Sequence, residues 1–200
     1  AGALSGADMV VNCAAYTNVE KAEAEEDVAF KVNADAAGML GEIAAGNSTP
    51  VLHISTDFVF DGTLDRPYNE EDTPNAISAY GRSKLAGEEK LIGSGADACI
   101  IRVQWTYGHN GTNFIKKLLE FASKRDSLKV VDDQHGAPTA TVEVASAIRK
   151  LIFRDADFPQ GVYHFAAGGY VSRYEMARFM FEKMGISTQL TPCGSDEFPS

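Results

Sequence analysis

Val51-Leu52-His53-Ile54-Ser55-Thr56 and, after a long polar stretch, Tyr80-Gly81-Arg82-Ser83-Lys84 decide how this chain is read. The first is an apolar run ending on a hydroxyl, the pattern of a buried strand. The second predicts a helix over residues 79–92, with Tyr80 and Lys84 on one face, one turn apart. A phenol beside an ammonium can deliver a proton. Free tyrosine titrates near ~10, and a fixed cation favours its phenolate. Such a tyrosine can protonate a carbonyl oxygen while hydride reaches the carbon, so the pair points to carbonyl reduction.

Working outward, Asp8 to Cys13 reads as a short buried strand. A helix is expected from about Glu25 to Ala45, with Val28, Val32, Met39 and Ile43 on its buried side and Gly46-Asn47 as its stop. The strand over 51–55 runs into a connection from Asp57 to Ile77, long enough to suggest a functional role. A strand over 98–103 follows the Tyr80 helix. Next come an amphipathic helix over 113–124, with Phe114, Leu118 and Phe121 on one side, and a strand over 128–131. A helix over 142–153, a strand over 162–166 and a helix opened by the capping box Ser172-Arg173-Tyr174-Glu175 complete the pattern. Strands alternating with helices predict an α/β fold, a Rossmann-like doubly wound parallel sheet. Ligands in such sheets bind beyond the carboxyl ends of the strands. That rule expects Asn12 to Tyr16, Thr56, and Gln104 to Tyr107 to open onto one crevice, beside Tyr80 and Lys84.

The 200 residues are 44% hydrophobic, enough for one substantial core with or without a small lobe. A net charge of −10 argues against nucleic acid or an anionic membrane as partner, without excluding a small anionic substrate. No stretch is apolar enough to span a bilayer, and the start does not resemble a signal peptide. Cys13, Cys99 and Cys193 form no close pair and are expected to be buried reduced thiols, in keeping with a cytoplasmic setting. His53, His109, His135 and His164 show no metal-ligand pairing, so no zinc site is expected.

Four blocks carry a family resemblance: Val11-Asn12-Cys13-Ala14-Ala15-Tyr16-Thr17, Ser55-Thr56-Asp57-Phe58-Val59-Phe60-Asp61-Gly62, Tyr80 through Glu88, and Asp133-Gln134-His135-Gly136-Ala137-Pro138-Thr139. Together they resemble the extended short-chain dehydrogenase/reductase superfamily and, within it, the dTDP-4-dehydrorhamnose reductases. The resemblance implies reduction of the 4-keto group of a dTDP-linked deoxy sugar by NADPH or NADH. By it, Tyr80 is the general acid, Lys84 lowers its pKa and binds the nicotinamide ribose, and Thr56 hydrogen-bonds the sugar carbonyl. Ala14, Ala15, Tyr16 and Ser55 would line the cofactor, together with Tyr80 and Lys84. Trp105 would pack on the sugar, or else fill a core. Gln134 and Thr139 would lie in a substrate-side loop, or else in a turn shaped by Asp133, Gly136 and Pro138. Arg102 could support a phosphate or pair with a carboxylate. Asn33 could tie strand ends together, and Asp57 shape the turn after Thr56. The acidic group Glu20 to Asp27 is most simply a solvated helical face.

The resemblance implies a Rossmann-like domain over 1–108 and 139–168 and a small substrate-binding lobe over 109–138 and 169–200, both partial. The family's glycine-rich pyrophosphate turn is absent. About 60 residues, two βα units, are expected to precede the first strand, and the carboxyl end stops short of the family's closing segment. The family allows a homodimer and magnesium, but no carboxylate cluster here marks a metal site. Two alternatives stay open: another sugar-nucleotide epimerase or reductase, and the non-catalytic β subunit of methionine adenosyltransferase. Phe58 stands where dehydratases carry a second acid, which argues against elimination.

Overall fold

The structure is a computed structural model that describes residue 4 and residues 6–197. In chain order the elements are β1 (Val10–Asn12), α1 (Val19–Ala24), α2 (Glu26–Phe30), a π-helical turn (Lys31–Asp35), α3 (Ala36–Gly46) and β2 (Val51–Thr56). A 3-10 turn (Asp57–Val59) precedes α4 (Ala79–Gly93), β3 (Ala98–Val103), β4 (Thr106–Tyr107), α5 (Phe114–Ala122) and β5 (Ser127–Val131). Then come β6 (His135–Gly136), β7 (Thr139–Ala140), α6 (Thr141–Ile152), β8 (Gly161–Phe165), β9 (Val171–Ser172), α7 (Arg173–Met184) and β10 (Gln189–Cys193). The chain divides into two compact units, Ala1–Val103 with Ala147–Phe165, and Gln104–Ser146 with Ala166–Ser200. The division falls at Gln104, earlier than the expected 109. β4 pairs with β7, Thr106 opposite Thr139 and Tyr107 opposite Ala140, which ties this stretch to the second unit.

The first unit is built on a parallel sheet in the order β1-β2-β3-β8. Parallel strands need both faces covered, which explains the continuous apolar runs in β2 and β3. On one face Val51, Ala98 and Ile100 pack with Leu91 of α4 and Ala44 of α3. On the other, Leu52, Cys99 and Ile101 meet Ile148 and Leu151 of α6. The register sets Asn12 beside His53, Ser55 beside Arg102 and Thr56 beside Val103, so these polar residues gather at the carboxyl ends.

The inward face expected for the helix over 26–46, Val28, Val32, Met39 and Ile43, is mostly turned outward, with Ile43 half-buried. Val28, Val32 and Met39 are exposed, Met39 by 62%, while Ala29, Asn33, Ala34, Ala37, Gly38, Gly41 and Ala44 are buried. Close approach of α3 and α4 decides the face. A Cβ at Gly41 would lie 2.4 Å from Ser94 Oγ, and one at Gly87 would lie 2.1 Å from the Asn33 carbonyl oxygen. Small residues let the backbones approach, and branched side chains are turned outward. Cys13 is likewise exposed rather than buried; Cys99 and Cys193 are buried, and all three are free.

In the second unit Leu118, Leu128, Val130, Ala177 and Phe181 form a core between α5, α7 and the parallel pair β5–β10. Phe121, expected on the buried side of α5, is largely exposed, with the Arg125 guanidinium 5.2 Å from its ring centre. The capping box is present: Ser172 Oγ accepts from Glu175 N at 3.0 Å, and Glu175 Oε2 accepts from Ser172 N at 2.8 Å. No described helix is long and apolar enough to cross a membrane.

Candidate active site

Thr56 ends β2, and Ser78 caps α4 by accepting from Gly81 N at 3.0 Å. Gly81 lets these two elements meet, since a Cβ there would lie 2.2 Å from the Phe58 carbonyl oxygen. The approach brings the Tyr80 phenol close enough to the Thr56 hydroxyl for each to bear on the other's proton. Thr56 Oγ1 also donates to Asp57 Oδ1 at 3.1 Å and accepts from Phe58 N at 3.2 Å. Thr56 is thus the cap of the turn as well as the phenol's neighbour, and Asp57 orients its proton. The Phe58 ring stands edge-on to Tyr80, with centres 5.5 Å apart.

The tyrosine's titration runs against the expected lowering. Burial pushes the phenol above its usual range, the Thr56 hydroxyl pulls it down, and the Asp57 carboxylate pushes it up again. The sum keeps Tyr80 protonated at neutral pH, the state an acid needs before it reacts.

Lys84 is fully buried one turn along. Its Nζ donates to the Ile54 carbonyl at 2.7 Å and lies 3.1 Å from His53 Nε2. Burial lowers its pKa to about 8, opposed by Glu88 and Cys13. His53 is buried too and held down to about 3, first by burial and then by the Lys84 charge. On its other side His53 Nδ1 is 2.9 Å from Asn12 Nδ2, and Asn12 Oδ1 accepts from Ala14 N at 3.1 Å.

Alternation along β2 points Ser55 at α4. There its hydroxyl donates to Glu88, and both side chains are buried. Glu88 also takes a two-pronged ion pair from Arg102, Nε to Oε1 at 3.0 Å and Nη2 to Oε2 at 2.6 Å. Arg102 therefore pairs with a carboxylate. Its guanidinium also lies 5.1 Å from the Phe60 ring centre.

The segment after β1 is braced by Asn33, which the π turn carries inward. Its Oδ1 accepts from Tyr16 N at 2.8 Å, and its Nδ2 donates to Tyr16 O at 3.1 Å and to Ser83 Oγ at 2.9 Å. The Tyr16 hydroxyl donates to Glu25 at 2.8 Å, and Glu25 also pairs with Lys21, so the acidic stretch is partly a clamp. Ala14 and Ala15 offer only methyl groups here, leaving their backbone approachable. As an ammonium, Lys84 keeps one N–H beyond those facing Ile54 O and His53 Nε2, a donor of the kind a ribose hydroxyl accepts.

The second unit holds Trp105, Gln134 and Thr139. Trp105 has φ +43°, a left-handed conformation costly for a bulky residue. Its indole lies against Gly136, where a Cβ would sit 2.7 Å from the ring, and the Arg173 guanidinium stacks 3.4 Å from its centre. Gln134 is exposed and donates to Ser195 Oγ at 3.1 Å. Thr139 is fully buried. Its hydroxyl donates to Ala137 O at 2.9 Å and accepts from Ala167 N at 3.1 Å, as a turn residue's would. Among the described residues no group of His, Cys, Asp and Glu could hold a metal ion.

The sequence reading gives His53 and Glu88 no role beside Tyr80 and Lys84. Their signals were there: Glu88 continues the 80/84 helical row, and His53 alternates with Val51 and Ser55 on the strand face that meets it.

Residues 4–200 match the RmlD substrate binding domain. The chain is 39% identical to a dTDP-4-dehydrorhamnose reductase of Sinorhizobium fredii, covering 96% of this chain and 68% of that protein. It is 40% identical to a dTDP-4-keto-6-deoxy-D-glucose reductase of Streptomyces niveus, over 94% of this chain and 65% of the relative. Its fold superposes on a crystal structure of dTDP-4-dehydrorhamnose reductase from Bacillus anthracis in complex with NADP, with a TM-score of 0.90 and 34% identity, over 96% of this chain and 68% of the other. The chain thus spans about two thirds of the length of these relatives.

Proposed function

Since this chain belongs to the RmlD substrate binding domain family, we propose that it serves the reduction of dTDP-4-dehydro-L-rhamnose to dTDP-L-rhamnose, with NADPH as reductant. The observation that carries this reading is the Tyr80 phenol, half-buried and protonated beside Thr56 at the carboxyl end of β2, with Lys84 buried one turn on. The choice of NADPH over NADH rests on the NADP held by the Bacillus anthracis relative.

The cofactor, when bound, supplies a hydride to C4 of the sugar. Tyr80 gives its proton to the carbonyl oxygen, so C4 and its oxygen each gain one hydrogen atom. Lys84 binds the ribose hydroxyls and, as an ammonium, stabilises the tyrosinate left behind. Thr56 turns its proton from Asp57 to the carbonyl oxygen and stabilises the charge that develops there. Ala14, Ala15 and Tyr16 hold the cofactor side. Within the second unit taken by itself, Trp105 and Gln134 are the residues proposed for sugar binding, and Thr139 holds its own turn through Ala137 and Ala167.

The test is full-length protein given the dTDP-4-keto sugar and NADPH. NADPH oxidation with formation of dTDP-L-rhamnose is expected. Tyr80→Phe should lower turnover by about 10²–10⁴-fold while leaving cofactor affinity unchanged. Near-normal turnover in that variant would remove Tyr80 as the acid. A second reading, favoured by the Streptomyces niveus relative, is reduction of dTDP-4-keto-6-deoxy-D-glucose; competition between the two substrates decides. The setting we propose is cytosolic, consistent with three free thiols. A homodimer is supported by the outward Val28, Val32 and Met39, and sedentation velocity of the full-length protein checks it by sedimentation coefficient.

A further inference from the structure

We propose that His53 is a positioning residue of this site: it links the Lys84 amino group to the Asn12–Ala14 turn, so that protonation of one sets the hydrogen-bond direction of the other. The proposal rests on the reductase reading above. It comes from counting protons along a chain of contacts that runs inward from the surface, the exposed Ala14 N to Asn12 Oδ1, Asn12 Nδ2 to His53 Nδ1, and the buried His53 Nε2 to Lys84 Nζ, at 3.1, 2.9 and 3.1 Å.

A backbone N–H can only donate, so the Asn12 atom facing Ala14 is its oxygen and the atom facing His53 is its NH2. That NH2 donates to Nδ1. A neutral imidazole then carries its proton on Nε2, aimed at Lys84. An amine accepts that proton, whereas an ammonium has no lone pair to accept it. When Lys84 is an ammonium it must donate to Nε2, which moves the ring proton to Nδ1. The Asn12 amide must then turn its oxygen to the ring, and the exposed Ala14 N–H exchanges Asn12 for solvent. The freed N–H lies in the stretch proposed to face the cofactor, where a ligand oxygen can accept it. Binding there therefore favours the ammonium that the tyrosinate needs.

The surroundings suit such coupling. His53 stays neutral at working pH and Lys84 titrates near neutrality, at about 8. The groups that act on Lys84 are few: His53 on β2, Cys13 after β1, and Glu88 on its own helix, itself paired with Arg102 on β3. For His53, burial acts first and the charge of Lys84 second.

Nitrogen-15 NMR of the ring in full-length protein reads the tautomer directly, with no need for turnover. The expected result is a proton on Nε2 above the Lys84 titration and on Nδ1 below it, with no such change in Lys84→Met. One tautomer throughout, or the same change in Lys84→Met, would overturn the proposal. In the enzyme, His53→Leu should lower kcat by about tenfold or more with KM for the sugar little changed. His53→Gln, which can place its amide oxygen where Nε2 was, should recover most of that loss and shift the limb of the pH profile that reports Lys84 to higher pH. Equal loss in both variants, with an unmoved pH profile, would reduce His53 to a packing role. A wild-type protein that fails to reduce the keto sugar would sink the reductase reading, and the NMR result would still decide the coupling.

Discussion

At the scale of single residues, the first unit carries two polar groups of different kinds. Thr56, Tyr80 and Lys84 are the residues proposed for the chemistry, whereas Ser55, Glu88 and Arg102 close on one another. The second group makes a sharp stability prediction. A buried charge without its partner costs several kcal/mol, while removing both ions for packed apolar groups costs far less. Glu88→Gln should therefore lower unfolding free energy by roughly 3 kcal/mol. The double change Glu88→Leu with Arg102→Met should be less destabilised than that single one, read from urea midpoints. For Thr56, replacement by valine keeps the shape and removes the donor. In full-length enzyme kcat should fall by about 10²–10³-fold, the usual loss for one donor to a developing oxyanion; an unchanged kcat would limit Thr56 to capping the turn.

At the scale of elements, close approach does the positioning. α4 meets the turn after β2 only because residue 81 has no side chain. Gly81→Ala should push Tyr80 from Thr56, cutting kcat strongly and costing roughly 1–3 kcal/mol of stability. Kinetics and thermal unfolding of the same sample separate the two effects. The π turn over 31–35 is the matching device on the other side of α4, since it turns Asn33 inward onto Tyr16 and Ser83. In the second unit, α7 owes its start to the Ser172 capping box. Ser172→Ala should cost about 1 kcal/mol, visible as a lower urea midpoint.

At the scale of the whole molecule, burial of ionisable groups ties stability to pH. The folded His53 ring binds its proton only near pH 3, against 6.5 when exposed. The unfolded chain therefore holds the extra proton between these values. This contribution is complete above 6.5 and is lost as pH falls toward about 3. Lys84, lowered from 10.5 to about 8, adds stability that grows as pH rises through that window. Urea unfolding across both ranges checks the two slopes, and His53→Gln should flatten the acid one. The sequence by itself determined the alternation of strands and helices, because buried parallel strands read as apolar runs and helices as a 3.6-residue period. It also determined that Tyr80 and Lys84 share one helix face, because a four-residue spacing sets two side chains one turn apart. It could not determine which face of the helix over 26–46 is buried. Hydrophobicity favoured Val28, Val32 and Met39, whereas the separation between α3 and α4 admits only small residues. Nor could it show that Ser55 turns to Glu88, that burial raises the Tyr80 phenol, or that His53 lies between Lys84 and Asn12. Those depend on which strands are neighbours and how closely a helix lies on them, and only tertiary packing brings residues 12, 53 and 84 within hydrogen-bonding distance.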